Sequence, residues 1–169
     1  VSDHAAHIAE YSTFYRENVD RLIGFLVLQG WSHLDAADCV QETLLAALPP
    51  TWATLENPLA WCRKVAYRRA CDLLRRSREE PVADLERVGA PLIHPSADLD
   101  ALMHDDVFAG WVAKLRGDRQ RQVMVWTFHD ATPTEIADAL GLNATTVRST
   151  LRNARARLQS FHEEEGTDD

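Results

Sequence analysis

Along this chain the apolar positions recur in blocks with a helical period, and no stretch alternates apolar and polar residues for the length of a useful strand. Ile8, Tyr11, Tyr15, Leu22 and Leu26 follow one another at steps of three, four and seven and predict a first helix over 5–28, broken at Gly30. Ser32 with Asp35 three residues on has the form of a helix start, and Ala37, Val40, Leu44 and Leu48 supply the apolar stripe of a second helix that Pro49-Pro50 ends. Asn57-Pro58 opens a third, running to about Arg76 with Trp61, Val65, Leu73 and Leu74 inward. Residues 79–95 hold three prolines and a glycine and no sustained period, which predicts a flexible linker. Ser96 caps a fourth helix with Leu99, Met103, Val107, Trp111 and Leu115 at four-residue steps. A fifth over 118–129 turns Val123, Trp126 and Phe128 inward. The expected fold is all-α: two small helical domains, 5–78 and 96–162, joined by the linker.

The segment from Thr132 to Arg148 is the densest in local signals. Thr132 suits an N-cap, Pro133 the first helical position, and Glu135 completes a capping box. Ile136, Ala137 and Leu140 give a short helix one apolar face, and Gly141 permits the left-handed turn that stops it. Asn143 caps a second helix whose Val147, Leu151, Ala154 and Leu158 point inward, leaving Thr145, Thr146, Arg148, Ser149, Arg152, Asn153 and Arg155 outside. Between Asn143 and Leu158 there are four arginines and no acid. A helix that buries one stripe and offers Arg, Asn, Ser and Thr on the other is equipped for the major groove, so the segment reads as a DNA-gripping helix-turn-helix rather than a solvated hairpin.

A formal net charge of −8 sits oddly with DNA until its distribution is examined. Over 59–78, Arg63, Lys64, Arg68, Arg69, Arg75, Arg76 and Arg78 face one acid, Asp72, a local balance of +6; residues 1–50 and 81–113 each carry −5. Two basic helices thus lie in an acidic chain, a pattern suited to local phosphate contact together with acidic surfaces that resist nonspecific DNA or meet a basic protein. The basic run is interleaved with Trp52, Trp61 and Tyr67; such rings either pack in the core, the favoured reading for Trp61, or stack on unpaired bases. The second helix presents Asp35, Asp38, Gln41 and Glu42, which a solvated face would also explain.

Other chemistries find little support. Cys39, Cys62 and Cys71 show no CxxC or Cys/His spacing and read as buried free thiols, with a redox pair the weaker alternative; no metal site or cofactor is expected. No Gly-rich phosphate loop or paired catalytic carboxylates stand out, so an enzyme is not expected. Without a long apolar run or a basic-then-apolar leader, the expected location is the cytosol.

In this order the features resemble the extracytoplasmic-function sigma factors of bacterial RNA polymerase, over almost the whole chain. Asp35 to Leu44 is similar to that family's Asp-Ala-Glu-Asp-Leu-Val-Gln-Glu-Thr-Phe run, Pro58 to Ala66 to its Leu-Arg-Ala-Trp-Leu-Tyr-Thr-Ile-Ala helix, and Leu140 to Ser149 to its promoter-reading helix-turn-helix. The resemblance implies that Asp35, Asp38, Gln41 and Glu42 dock on core RNA polymerase. It implies that Trp61, Arg63, Lys64, Tyr67, Arg68, Arg69, Arg75 and Arg76 melt and hold the −10 element. Thr145, Thr146, Arg148, Ser149, Arg152, Asn153 and Arg155 would read the −35 element of promoter DNA. It also implies an anti-sigma factor as partner. Arg68 stands where the family often has Asn, Arg148-Ser149-Thr150 where it often has Lys-Ser-Arg, and Leu115-Arg116-Gly117 where Leu-Pro-Pro is familiar. The rival reading is a helix-turn-helix regulator that binds DNA without polymerase; it leaves the acidic face of the second helix and the basic third helix unexplained.

Overall fold

The computed structural model describes residues 2–79, 106–115 and 117–165. They form helices α1 (Ser2–Val27), α2 (His33–Ala46), a short 3-10 turn (Thr51–Thr54), α3 (Pro58–Glu79), α4 (Asp106–Lys114), α5 (Asp118–Phe128), α6 (Pro133–Leu140) and α7 (Ala144–Glu165). Among the described residues there is no strand, and no helix is long and apolar enough to cross a membrane. The all-α expectation is met. The linker and the start of the fourth helix at Ser96, with Leu99 and Met103, fall outside the described residues.

The chain divides into two compact units, one holding α1 to α3 and the other α4 to α7. In the first, α2 and α3 pack together and against α1. Leu22, Phe25 and Leu26 of α1, Val40 and Leu44 of α2, and Cys62, Ala66 and Ala70 of α3 are buried. Trp52 of the 3-10 turn closes one end, with its ring 5.3 Å from Tyr11 at right angles and 5.0 Å from Phe14. The Tyr11 hydroxyl donates to the Leu44 carbonyl at 2.8 Å. The helix starts are as the sequence predicts: Ser32 Oγ accepts from the Asp35 amide, and Asn57 Oδ1 from the Ala60 amide, both at 3.1 Å.

In the second unit Trp126, Val123, Val125, Ile136, Val147, Val112 and Leu115 are almost wholly buried. α5 and α6 each pack on α7. The far end of α7 is tied to α4 through Phe161, whose ring has the Lys114 ammonium 5.8 Å and the Arg157 guanidinium 5.4 Å from its centroid.

Some positions expected inside are exposed. Ile8 is open because α1 spans about 39 Å against about 21 Å for α2, so its first turns outrun their partner. Leu48 lies in the turn beyond α2, and Leu73 near the overhanging end of α3; both are exposed. In α4 the buried register is Phe108, Val112 and Leu115, while Trp111 is 47% exposed. Four-residue steps advance about 40° beyond a full turn each time, so a row drawn only from such steps walks off the buried face. Phe128 is also exposed on one side, its other side stacked on Phe108 at 3.8 Å.

Gly141 has φ 67° and ψ 36°, while Gly110 is an ordinary helical residue; a methyl group at either would meet no atom within 4 Å. Gly141→Ala should therefore destabilise the second unit by about 1–2 kcal/mol through backbone strain alone. Gly110→Ala should stabilise it by about 0.5–1 kcal/mol. Urea unfolding of the two variants checks this, and equal midpoints would contradict it.

Candidate nucleic-acid and partner interfaces

The turn between α6 and α7 is built by local hydrogen bonds. Thr132 Oγ1 accepts from the Glu135 amide at 3.2 Å while Glu135 Oε2 accepts from the Thr132 amide at 2.7 Å, a complete capping box. Gly141 takes the left-handed conformation, and the Leu142 amide donates back to the Ala137 carbonyl at 2.9 Å. Asn143 then starts α7, its Oδ1 accepting from the Thr146 amide at 2.8 Å and from the Thr146 hydroxyl at 2.9 Å.

With Val147, Leu151 and Ala154 buried, the helical period turns Thr145, Arg148, Arg152, Asn153 and Arg155 to solvent. Arg148, Arg152 and Arg155 have no acidic partner among the described residues, and they line an open groove with Leu151, Ala156 and Gln159. Thr146 and Ser149 are half-buried, and their hydroxyls are occupied, Thr146 by Asn143 and Ser149 by the Thr146 carbonyl at 3.0 Å. These two residues shape the start of the helix more than they present donors outward.

On α3, Trp61, Lys64, Arg68 and Arg75 stand at steps of three, four and seven, so they share one face; Arg68, Arg75 and Arg76 are exposed, and Trp61 and Lys64 half-buried. Arg75 is paired with Asp72 at 3.3 Å, leaving Arg68 and Arg76 as exposed cations without an acidic partner among the described residues. Two residues expected on this surface are not there. Arg63 is only 3% exposed, on the side of α3 that carries Ala66 and Ala70. Tyr67 is buried, its ring edge-on to Trp31 at 5.7 Å. Both lie on the core stripe of the helix, where counting basic and aromatic residues without their angular position misplaces them.

On α2, Asp38, Gln41 and Glu42 are exposed, whereas the Asp35 carboxylate accepts from the Ser32 hydroxyl at 2.7 Å as part of the helix start. Gln41 Oε1 is 3.4 Å from the Tyr15 hydroxyl, and Glu42 Oε2 accepts from Arg69 Nη1 at 2.9 Å. Two residues not singled out from the sequence complete this face. Leu34 and Leu45 are 58% and 56% exposed and, at steps of four, three and four, line up with Asp38 and Gln41. A full helical projection of α2 would have shown them, since both fall opposite the buried Ala36, Val40 and Thr43.

The thiols stay protonated. Burial pushes Cys62 up to about 12 and Cys39 to about 11, the latter helped by the nearby charges of Glu42, Asp35 and Asp38; burial also raises Cys71. All three are free, with Cys39 and Cys62 buried and Cys71 half-buried. Among the described residues no cluster of His, Cys, Asp and Glu could hold a metal ion.

An all-helical chain with an arginine-faced helix-turn-helix in one unit, and an acidic helix beside a basic one in the other, defines a class of nucleic-acid-binding protein. Known proteins place it further. Residues 118–158, which span α5 to most of α7, match the family described as Sigma-70, region 4. The chain is 30% identical over 159 residues to the RNA polymerase sigma-E factor of Streptomyces coelicolor, covering 90% of this chain and 85% of that one. Its fold is similar to that of the sigma factor RpoE of Bartonella quintana, solved in complex with the anti-sigma factor NepR, with a TM-score of 0.60, 24% identity and coverage of 91% of this chain and 97% of that one. The chain belongs to the extracytoplasmic-function sigma factors, and hence to promoter-directed transcription by RNA polymerase.

Proposed function

We propose that this protein docks on core RNA polymerase through α2, reads the −35 element with α7 and engages the melted −10 element with α3. The observation that carries the reading is the division of exposed chemistry among these three helices. The solvent face of α2 sets Leu34 and Leu45 around Asp38 and Gln41, a mixture suited to a basic, partly apolar protein surface rather than to nucleic acid. The exposed arginines of α7 suit duplex DNA, where a guanidinium fork can pair with guanine O6 and N7. Arg68, on the same face of α3 as the half-buried Trp61, and Arg76, about four turns further along the helix than Trp61, suit a single strand whose phosphates meet the cations and whose bases stack.

Arg63 and Tyr67 are left out of the DNA-contacting set because the core holds them; their role is to fix the rotation of α3. Thr146 and Ser149 are proposed to orient the first turn of α7, with base contacts falling to Arg148, Arg152 and Asn153 and a backbone contact to Arg155. That the similar fold from Bartonella quintana was solved with an anti-sigma factor supports a protein inhibitor as a further partner here. A regulator acting without polymerase would have no use for the exposed leucine and acid face of α2.

Replacing Asp38 and Glu42 together by Lys, or Leu34 and Leu45 together by Ser, should weaken capture of core polymerase by tenfold or more, on the order of 1.4 kcal/mol or above, while helicity is retained. Unchanged capture by both double variants would return α2 to a merely solvated face. Arg152→Ala should remove about 1–3 kcal/mol of discrimination at one −35 base pair, whereas Arg76→Ala should weaken many promoters alike and flatten the salt slope. Holoenzyme binding to a panel of −35 variants at several salt concentrations measures both effects. An unaltered ranking with Arg152→Ala would displace α7 as the reading helix.

A further inference from the structure

The pair formed by Glu42 and Arg69 links the two helices given different partners above. Arg69 Nη1 lies 2.9 Å from Glu42 Oε2, with the arginine side chain 37% and the glutamate 64% exposed. The contact is single. Arg69 Nε is buried and has no acceptor among the described residues, so the guanidinium fork is only partly used. Glu42, in contrast, keeps most of its carboxylate open to an incoming cation. A guanidinium has five N–H donors, and a phosphate takes two of them in parallel, a better match than this one-point contact. A phosphate approaching Arg69 in the free protein also meets the negative charge of Glu42.

We propose that the Glu42–Arg69 pair is a charge-exchange contact: Glu42 holds Arg69 back from nucleic acid in the free protein, and a basic protein surface seated on Glu42 releases Arg69 to a backbone phosphate. The inference rests on the reading that α2 receives core polymerase and α3 receives DNA. It adds that the first event raises the affinity of the second through one shared ion pair. An exposed pair is worth about 0.2–1 kcal/mol, so the exchange tunes DNA affinity by at most about five-fold and does not act as an on–off switch.

A double-mutant cycle isolates the effect, because the long-range loss of one negative charge is common to both arginine backgrounds. Binding of a labelled single-stranded oligonucleotide at low salt would be measured for the full chain as wild type, Glu42→Gln, Arg69→Gln and the double variant, alone and in complex with core polymerase. In the free protein Glu42→Gln should tighten binding about two- to five-fold more in the Arg69 background than in the Arg69→Gln background. In the complex that difference should fall to nearly none. Arg69→Lys keeps the charge and should keep the gain from Glu42→Gln, which separates charge exchange from any local disturbance caused by Arg69→Gln. Equal effects of Glu42→Gln in both backgrounds, or a difference that persists undiminished in the complex, would overturn the proposal. Loss of coupling while the wild type still binds core polymerase strikes the exchange alone. A wild type that fails to bind core polymerase strikes the functional reading and the release step with it.

Discussion

Burial of Val147, Leu151 and Ala154 is the constraint from which the arginine-bearing surface of α7 follows. Once these three residues are packed on α5 and α6, the period of an α-helix fixes the face from which Arg148, Arg152 and Arg155 project. The entry angle of the helix is set just before it, by Gly141 in the left-handed region and by Asn143 holding the Thr146 amide. Three guanidinium groups are thereby held outward on a rigid element with no acidic partner among the described residues. Holding them ready lowers the ordering cost of binding, since the backbone carrying them is already fixed.

The same logic operates on α2 and α3 with opposite charge. Each buries one stripe in the first unit, and what remains outside is acidic and apolar on α2, basic and aromatic on α3. The overall charge of −8 therefore describes neither interface. An acidic chain is repelled by DNA at long range, while its basic faces act within roughly a Debye length, about 8 Å at physiological salt. The proposed docking of α2 on polymerase would bring those basic faces within that range of the duplex.

Much of this was legible in the sequence, and the exceptions have physical causes. The capping box at Thr132, the Gly141 turn and the Asn57-Pro58 start depend on neighbours within a few residues, so local pattern suffices. Burial depends on partners that local pattern does not contain. Ile8 has the spacing of a core residue but lies where α1 has outrun α2, and Trp111 lost its place to Val112 by a single residue of register. Arg63 and Tyr67 have the chemistry of a DNA contact and the angular position of a core residue, and position decided. Leu34 and Leu45 went unnoticed because attention to an apolar stripe passes over apolar residues on the opposite side. The Glu42–Arg69 contact joins residues 27 apart in sequence and depends on how α2 and α3 pack.

As proposed above, this chain supplies promoter specificity to core RNA polymerase and needs no other activator. Run-off transcription tests it most directly, with purified core polymerase, this protein and fragments of the genome that encodes it, read out as discrete transcripts against core polymerase alone. Transcripts of defined length are expected, beginning downstream of a shared pair of sequence elements and disappearing when the protein is left out. Unchanged core transcription on every fragment, with the protein binding those fragments by itself, would contradict it.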